Sequence, residues 1–274
     1  MFHRRALIAA ALAGATLGGV TAALPAQAQQ ETSLIEEVTE RGVLRVGVGN
    51  FVPWVFRSKT GEIIGFEVDV ASKLADDMGV EVEFIPTVWD GMIPALLSGK
   101  FDVIISGMSL RPDRMLRANF TIPYASSGNM LAASVERMPG ETSIDAFNDR
   151  DVTIAAVRGS TSASAVQEQL PDARLIQFDA EADVLQEVLN GNADALVASA
   201  PKPGRDAARF PEQLYLPVRE TFKGTLEAFA LRKGDPDALN FFNGWIRMNQ
   251  KNGFLEERWQ YWFTTDEWRD QVPG

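Results

Sequence analysis

Leu44-Arg45-Val46-Gly47-Val48, followed after a turn by Phe66-Glu67-Val68-Asp69-Val70-Ala71-Ser72-Lys73-Leu74-Ala75-Asp76-Asp77-Met78, decides the fold. The first stretch is a short apolar run bounded by Gly42 and Gly49, which reads as a buried strand. The second places apolar residues at Phe66, Val70, Ala71, Leu74 and Met78, a helical stripe that Gly79 closes. Working outward, Val80 to Ile85 alternates as a strand, Met92 to Leu97 forms a helix with Pro94 early and Gly99 after it, and Phe101 to Ser106 is a further strand. A second series runs from Asp151 to Val157 (strand), Ser162 to Leu170 (helix), Arg174 to Phe178 (strand), Glu181 to Asn190 (helix) and Asp194 to Ala198 (strand). Strands separated by helices are parallel βαβ units, so the spacing predicts an α/β chain folded as two lobes. No tandem repeat is visible, and no long flexible linker separates the halves.

The ends and the composition narrow the function. Arg4 and Arg5 precede an uncharged apolar run from Ala6 to Val20, and Ala26-Gln27-Ala28 is a small-x-small cleavage site. Residues 1–28 are therefore expected to be an export signal. Arg4-Arg5 lacks the rest of a twin-arginine signature, and the absence of a cysteine after the apolar run argues against a lipoprotein anchor. No later stretch reaches the roughly 18 apolar residues of a membrane span, so the expectation is a soluble periplasmic protein. With 46% hydrophobic residues in 274, the chain can bury a full core. Its 37 acidic against 26 basic residues, without a long basic run, argue against nucleic-acid binding. The chain has no cysteine, which removes disulfides, thiolate nucleophiles and zinc–thiolate sites. The single histidine, His3, falls in the expected signal, so no metal site or cofactor is expected.

Several segments in order carry a more specific message. They are Leu44 to Val48, Gly61-Glu62-Ile63-Ile64-Gly65-Phe66-Glu67-Val68-Asp69-Val70-Ala71, Trp89-Asp90-Gly91-Met92-Ile93-Pro94-Ala95-Leu96, Gly99-Lys100-Phe101-Asp102-Val103-Ile104, Ser106-Gly107-Met108-Ser109 with Arg114 five residues on, Phe120-Thr121-Ile122-Pro123-Tyr124, and Gly159-Ser160-Thr161-Ser162. Ala230 to Pro236 and Gly253 to Trp262 close the series. Together they resemble the bacterial periplasmic amino-acid-binding proteins of ABC importers, the family 3 solute receptors, over residues 36–265. The resemblance implies the type II periplasmic-binding fold: two lobes, each a mixed sheet flanked by helices, joined by two crossover strands and closing on a ligand. It places lobe one at 29–125 plus 223–274 and lobe two at 126–222. It also implies a monomer that hands a small ligand to an inner-membrane permease.

The candidate site residues follow. Arg114 offers a rigid fork that matches a carboxylate, against the blander reading of a solvated charge beside Arg111, Asp113 and Arg117. In the family this arginine grips the ligand α-carboxylate with help from the backbone near Ser109, and Ser106 and Met108 belong to the same segment. Ser160 and Thr161 stand between a strand and a helix, where N–H groups and hydroxyls form an anion site or simply cap the helix. The resemblance makes Phe51 and Trp89 ring walls for the ligand, and Trp54 divides evenly between wall and core.

One departure opens alternatives. Relatives usually carry an Asp after the last lobe-two strand, pairing with the ligand ammonium; here Ser199 stands in its place. A hydroxyl does not offset a buried ammonium as a carboxylate does. Three readings stay open: another acid holds the ammonium, Glu227 being the first candidate; the nitrogen is substituted and lies over Phe51, Trp54 and Trp89; or the ligand has no amine. Arg158, Lys202 and Arg205 raise an acidic ligand side chain, against ordinary surface solvation. The expected role is a receptor and not an enzyme. A cyclohexadienyl or arogenate dehydratase of the same fold is the alternative, lacking an acid in Ala198-Ser199-Ala200-Pro201-Lys202, and a ligand sensor for a membrane receptor is a further one.

Overall fold

Ser33 opens the first helix, α1 (Leu34–Arg41), by accepting from Ile35 N, and the chain then enters β1 (Val43–Val48). The computed structural model describes residues 32–273, so the export signal expected at 1–28 lies outside the described residues. A small hairpin, β2 (Phe56–Arg57) and β3 (Ile63–Ile64), leads to α2 (Phe66–Met78) and β4 (Glu81–Pro86). Next come α3 (Met92–Leu97), β5 (Val103–Ile104), the short α4 (Pro112–Met115) and β6 (Asn119–Phe120). The long β7 (Ala125–Ser134) leaves this region and is followed by β8 (Thr153–Val157), α5 (Thr161–Gln169), β9 (Arg174–Phe178), α6 (Glu181–Leu189), β10 (Ala195–Ser199), α7 (Lys202–Arg209) and β11 (Leu214–Tyr215). The chain returns through β12 (Lys223–Glu227) and β13 (Ala230–Leu231) to α8 (Pro236–Lys251) and α9 (Phe254–Trp259).

Two mixed sheets result. The first has the order β4-β1-β5-β13-β6 and the second β11-β7-β10-β8-β9, with β12 paired to β7. In the first, β1 runs parallel to β4 and β5 while β13 opposes β5 and β6. In the second, β8 runs parallel to β9 and β10, Val157 standing opposite Phe178. β7 and β12 pair antiparallel from Ala125↔Glu227 to Asn129↔Lys223, forming the two-strand bridge between the sheets. The predicted α/β alternation is therefore present, and the chain is a two-lobed mixed fold.

Each sheet is covered by apolar helix faces. Phe66, Val70, Ala71 and Leu74 of α2 are buried in a core that also takes Phe242, Trp245 and Ile246 of α8. Burying such a side chain contributes about 1.5–3 kcal/mol, so this stripe holds helix to sheet far more than helix propensity does. The strand expected over Phe101 to Ser106 is shorter than its apolar run, spanning Val103–Ile104. The reason is local: the Asp102 carboxylate accepts from Arg45 N at 2.8 Å, and Ser106 Oγ accepts from Gly49 N at 2.8 Å. On both flanks a side chain thus bonds the β1 segment, and on the first the Asp102 backbone also donates to Arg45 O at 2.9 Å.

Candidate ligand-binding site

The loops leaving the C-terminal ends of β1, β4 and β5 face those leaving β8, β9 and β10, and enclose a cavity of about 370 Å³. Ligands of α/β sheets bind at strand ends of this kind, where backbone groups and short loops converge. On the first lobe the wall is made by Gly49 to Phe51, by Pro86 to Trp89 and by Gly107. On the second it is made by Val157, Ser160 to Ser162, Asp179 to Ala182, Val184, Leu196 to Ser199 and Lys202.

Of the residues singled out by sequence, Phe51, Trp89, Ser160, Thr161 and Ser199 line this cavity. Phe51 and Trp89 meet edge to face with centroids 5.5 Å apart, and the antiparallel bridge between Phe51 and Val55 fixes the loop. Ser160 is the cap of α5: its Oγ accepts from Ala163 N at 3.1 Å and donates to Val157 O at 2.6 Å. That leaves Thr161 as the hydroxyl of the pair that opens the helix and faces the cavity. Ser199 ends β10 opposite Asn129.

Arg114 is buried at the meeting of the lobes. Nη1 donates to Ser109 O at 2.9 Å, Nη2 crosses to Gly159 O at 3.0 Å, and the guanidinium carbon stands 5.7 Å from the centre of the Trp89 ring. Burial, helped by the neighbouring Arg111 charge, pulls it down to about 10. Among the described residues its hydrogen-bond partners are carbonyls, and no carboxylate neutralises it directly. Gly159 admits this close approach. It adopts φ +68, and a Cβ there would stand 2.5 Å from Asp90 Oδ1 of the opposite lobe. Arg111 adds a second crossing bond, to Ser160 O at 3.2 Å.

Arg114 and Ser109 stand beside the cavity without lining it, and four further predicted residues lie behind the wall. Trp54 is 2% exposed and packs edge to face with Phe66, Trp259 and Phe263, so the structure places it in the core. Met108 is buried with Met92, Leu96 and Phe101. Ser106 holds the β1 loop through Gly49 N, as above, and Gly107 beside it (φ +58) lies so close to the Trp54 ring that a Cβ would meet it at 2.9 Å. Glu227 is buried on the bridge: Oε1 accepts from Thr225 Oγ1 at 2.6 Å and from Ser109 Oγ at 3.3 Å. Its Oε2 has no partner among the described residues, and burial pushes its carboxyl up to about 7. It braces Ser109 and is not among the groups that line the cavity.

The cations considered for an acidic ligand are engaged elsewhere. Arg158 pairs with Asp179 at 3.2 Å, Lys202 pairs with Asp206, and Arg205 donates to Trp262 O at 3.3 Å with its guanidinium 4.4 Å from the Trp268 ring centre.

Two acids were missed by the sequence reading. Glu67 is fully buried, with Tyr124 Oη 2.7 and 2.8 Å from its two oxygens, and Gly107 N donates to that hydroxyl at 3.3 Å. Burial pushes Glu67 up to about 8, and the nearby Glu227 adds to this. Glu181 opens α6 and lines the cavity, its carboxyl raised by burial to about 7 although Lys202 opposes the shift. The signal for Glu181 was its place directly after a strand, equivalent to that of Thr161 after β8.

Two lobes bridged by paired strands, with a polar-and-aromatic cavity at their strand ends, define a solute-binding class of protein. The family described as bacterial extracellular solute-binding proteins, family 3, matches residues 44–265, and the chain belongs to it. It is similar to the cyclohexadienyl dehydratase of Pseudomonas aeruginosa, with 25% identity over 86% of this chain and 88% of that one. It is likewise similar to the L-cystine-binding protein TcyJ of Escherichia coli, with 28% identity over 93% and 96% of the two chains. Among solved structures, a putative ABC-transporter binding component from Wolinella succinogenes complexed with lysine shares 34% identity, 84% and 100% coverage and a TM-score of 0.78. An ancestral amino-acid-binding protein, a precursor of cyclohexadienyl dehydratase, shares 37% identity, 85% and 100% coverage and a TM-score of 0.76. Among the described residues no helix is long and apolar enough to cross a membrane.

Proposed function

We propose that this chain is the periplasmic receptor of an ABC importer, taking a small amino-acid-like carboxylate between its lobes and delivering it to a membrane permease. Arg114 carries the reading: a buried guanidinium, bonded to carbonyls of both lobes and set beside the Ser160–Thr161 helix opening, is built to receive a carboxylate. Phe51 and Trp89 supply apolar walls, and contacts from both lobes favour the closed form once a ligand bridges them. Export through residues 1–28, a monomeric state, and the ranges 29–125 plus 223–274 and 126–222 for the two lobes belong to the same proposal. Relatives named for cystine binding, or solved with lysine, support an amino-acid ligand. The test is thermal denaturation with the common amino acids, their N-methylated forms and dicarboxylates. A ligand at a hundred times its Kd adds about 2.7 kcal/mol, a clear rise in midpoint. No shift with any α-amino acid would reject the reading.

A second reading is favoured by one observation. Glu181 places in the cavity wall a carboxyl raised to about 7, the acid that a dehydratase needs and that the segment around Ser199 lacks. Incubation with the substrate of cyclohexadienyl dehydratase decides it: loss of the ring hydroxyl as water together with the ring carboxylate as carbon dioxide yields an aromatic product with a new ultraviolet band, and its absence leaves the receptor reading.

A further inference from the structure

The charges lining the cavity are unevenly matched. Asp179 and Lys202 each have a partner, Arg158 and Asp206 respectively, so each pair is close to neutral. Glu181 is different: it faces the cavity, and no hydrogen bond supports its carboxyl among the described residues. The first-lobe wall opposite contributes no charged side chain to the lining; it offers Phe51, Val88 and Trp89. Glu181 is half-buried on the cavity wall, so a ligand that fills the cleft removes the water its carboxyl still meets, and the ligand group that offsets that loss is a cation.

Sheet topology locates this group. β9 is the edge strand of the second sheet and lies parallel to β8, with Val157 opposite Phe178. The turn carrying Glu181 is therefore one strand, about 4.8 Å, further from the bridge than the turn carrying Ser160 and Thr161. The same cavity carries apolar wall from Val157, Val184 and Leu196, suited to methylene groups, and the Phe51 and Trp89 rings, whose faces attract a cation.

We infer that Glu181 is the counter-ion for a positively charged group carried by the ligand several bonds from its carboxylate, making the cleft a site for cationic amino acids such as diamino acids. This rests on the reading that Arg114 receives the carboxylate, and it adds a specificity-determining residue to that site. Ser199, the substitute for the usual acid, then matters less than expected, since the charge is met from the next strand turn. Proton release accompanies uptake, because a cation beside Glu181 favours its ionised form. The charges that act on it are Lys202, which favours its ionised form, and Asp206, which opposes it, both on α7; Asp179 on its own turn is paired with Arg158.

Calorimetry with L-lysine, L-norleucine and L-glutamine tests the inference on the native chain, Glu181→Gln and Asp183→Asn. The native chain is expected to prefer lysine over norleucine by about tenfold or more, and more strongly at pH 8 than at pH 5.5. Glu181→Gln should abolish that preference and its pH dependence while holding norleucine within about threefold, and Asp183→Asn, which removes an exposed carboxylate of the same helix that does not line the cavity, should keep both. A lysine preference that survives Glu181→Gln, or a native chain that does not prefer lysine, overturns the inference and leaves the amino-acid reading standing. Failure of all three ligands overturns the amino-acid reading and the inference together.

Discussion

Arg114 and Glu67 show how a single side chain can be costly to the free lobes and useful to the whole. Arg114 is a buried cation with carbonyl partners, and Arg114→Ala is expected to weaken ligand binding by roughly 2–5 kcal/mol, as when a buried carboxylate loses its partner. Arg114→Lys should recover little of this, because an ammonium lacks the planar fork; calorimetry that finds native affinity in either variant removes the carboxylate assignment. Glu67 has a folded-state value near 8, above its ordinary range, so the folded chain keeps a proton that the unfolded chain releases from about 4.5 upward. Its contribution is full below about 4.5 and is lost as pH rises through about 8. Glu67→Gln keeps an acceptor for Tyr124 and removes the titration, so urea midpoints should fall less between pH 5 and 8.5 in the variant than in the native chain. Equal slopes would mean that Glu67 does not titrate in this range. At this scale the sequence pointed to Phe51, Trp89 and Thr161, which line the cavity, and to Arg114, which is buried between the lobes beside it. It was not legible for Glu67 or Glu181: an acid on an amphipathic helix reads as solvated until the opposing element is known.

Elements were read more fully than residues. β1, α2, β4, α3, β8 and β9 fall where period and punctuation predict them, within a residue or two at each end. The exception, the curtailed β5, arises from Asp102 and Ser106 bonding the neighbouring backbone, an interaction between segments more than fifty residues apart. The turn after β5 illustrates what such bonding secures. Gly107 has φ +58 and the Trp54 ring behind it, and Trp54 is locked among Phe66, Trp259 and Phe263. Gly107→Ala is therefore expected to cost about 1–2 kcal/mol from the left-handed backbone alone, with ring displacement adding to it. A denaturant midpoint unchanged from the native chain would show that this turn relaxes freely.

At the scale of the molecule, the lobes meet on two sides. Arg114 and Arg111 cross near the cavity, while Arg205 of α7 reaches the C-terminal segment, bonding Trp262 O and stacking over Trp268. Removing the second contact by Arg205→Ala should speed ligand dissociation by an amount corresponding to roughly 1–2 kcal/mol, without touching the cavity. Stopped-flow release rates check it, and an unaltered rate would mean that Arg205 serves only the packing of α7. The strand order holds one more consequence. β13, at residues 230–231, sits between β5 and β6 and is needed to join them, whereas the second sheet takes all its strands from residues 125–227. A nascent chain therefore finishes its lobes in the reverse of the order in which it starts them. The first-begun lobe stays an open half-sheet, its edges unpaired, until nearly the last residues have been synthesised, and a chain cut short before residue 230 would leave it that way.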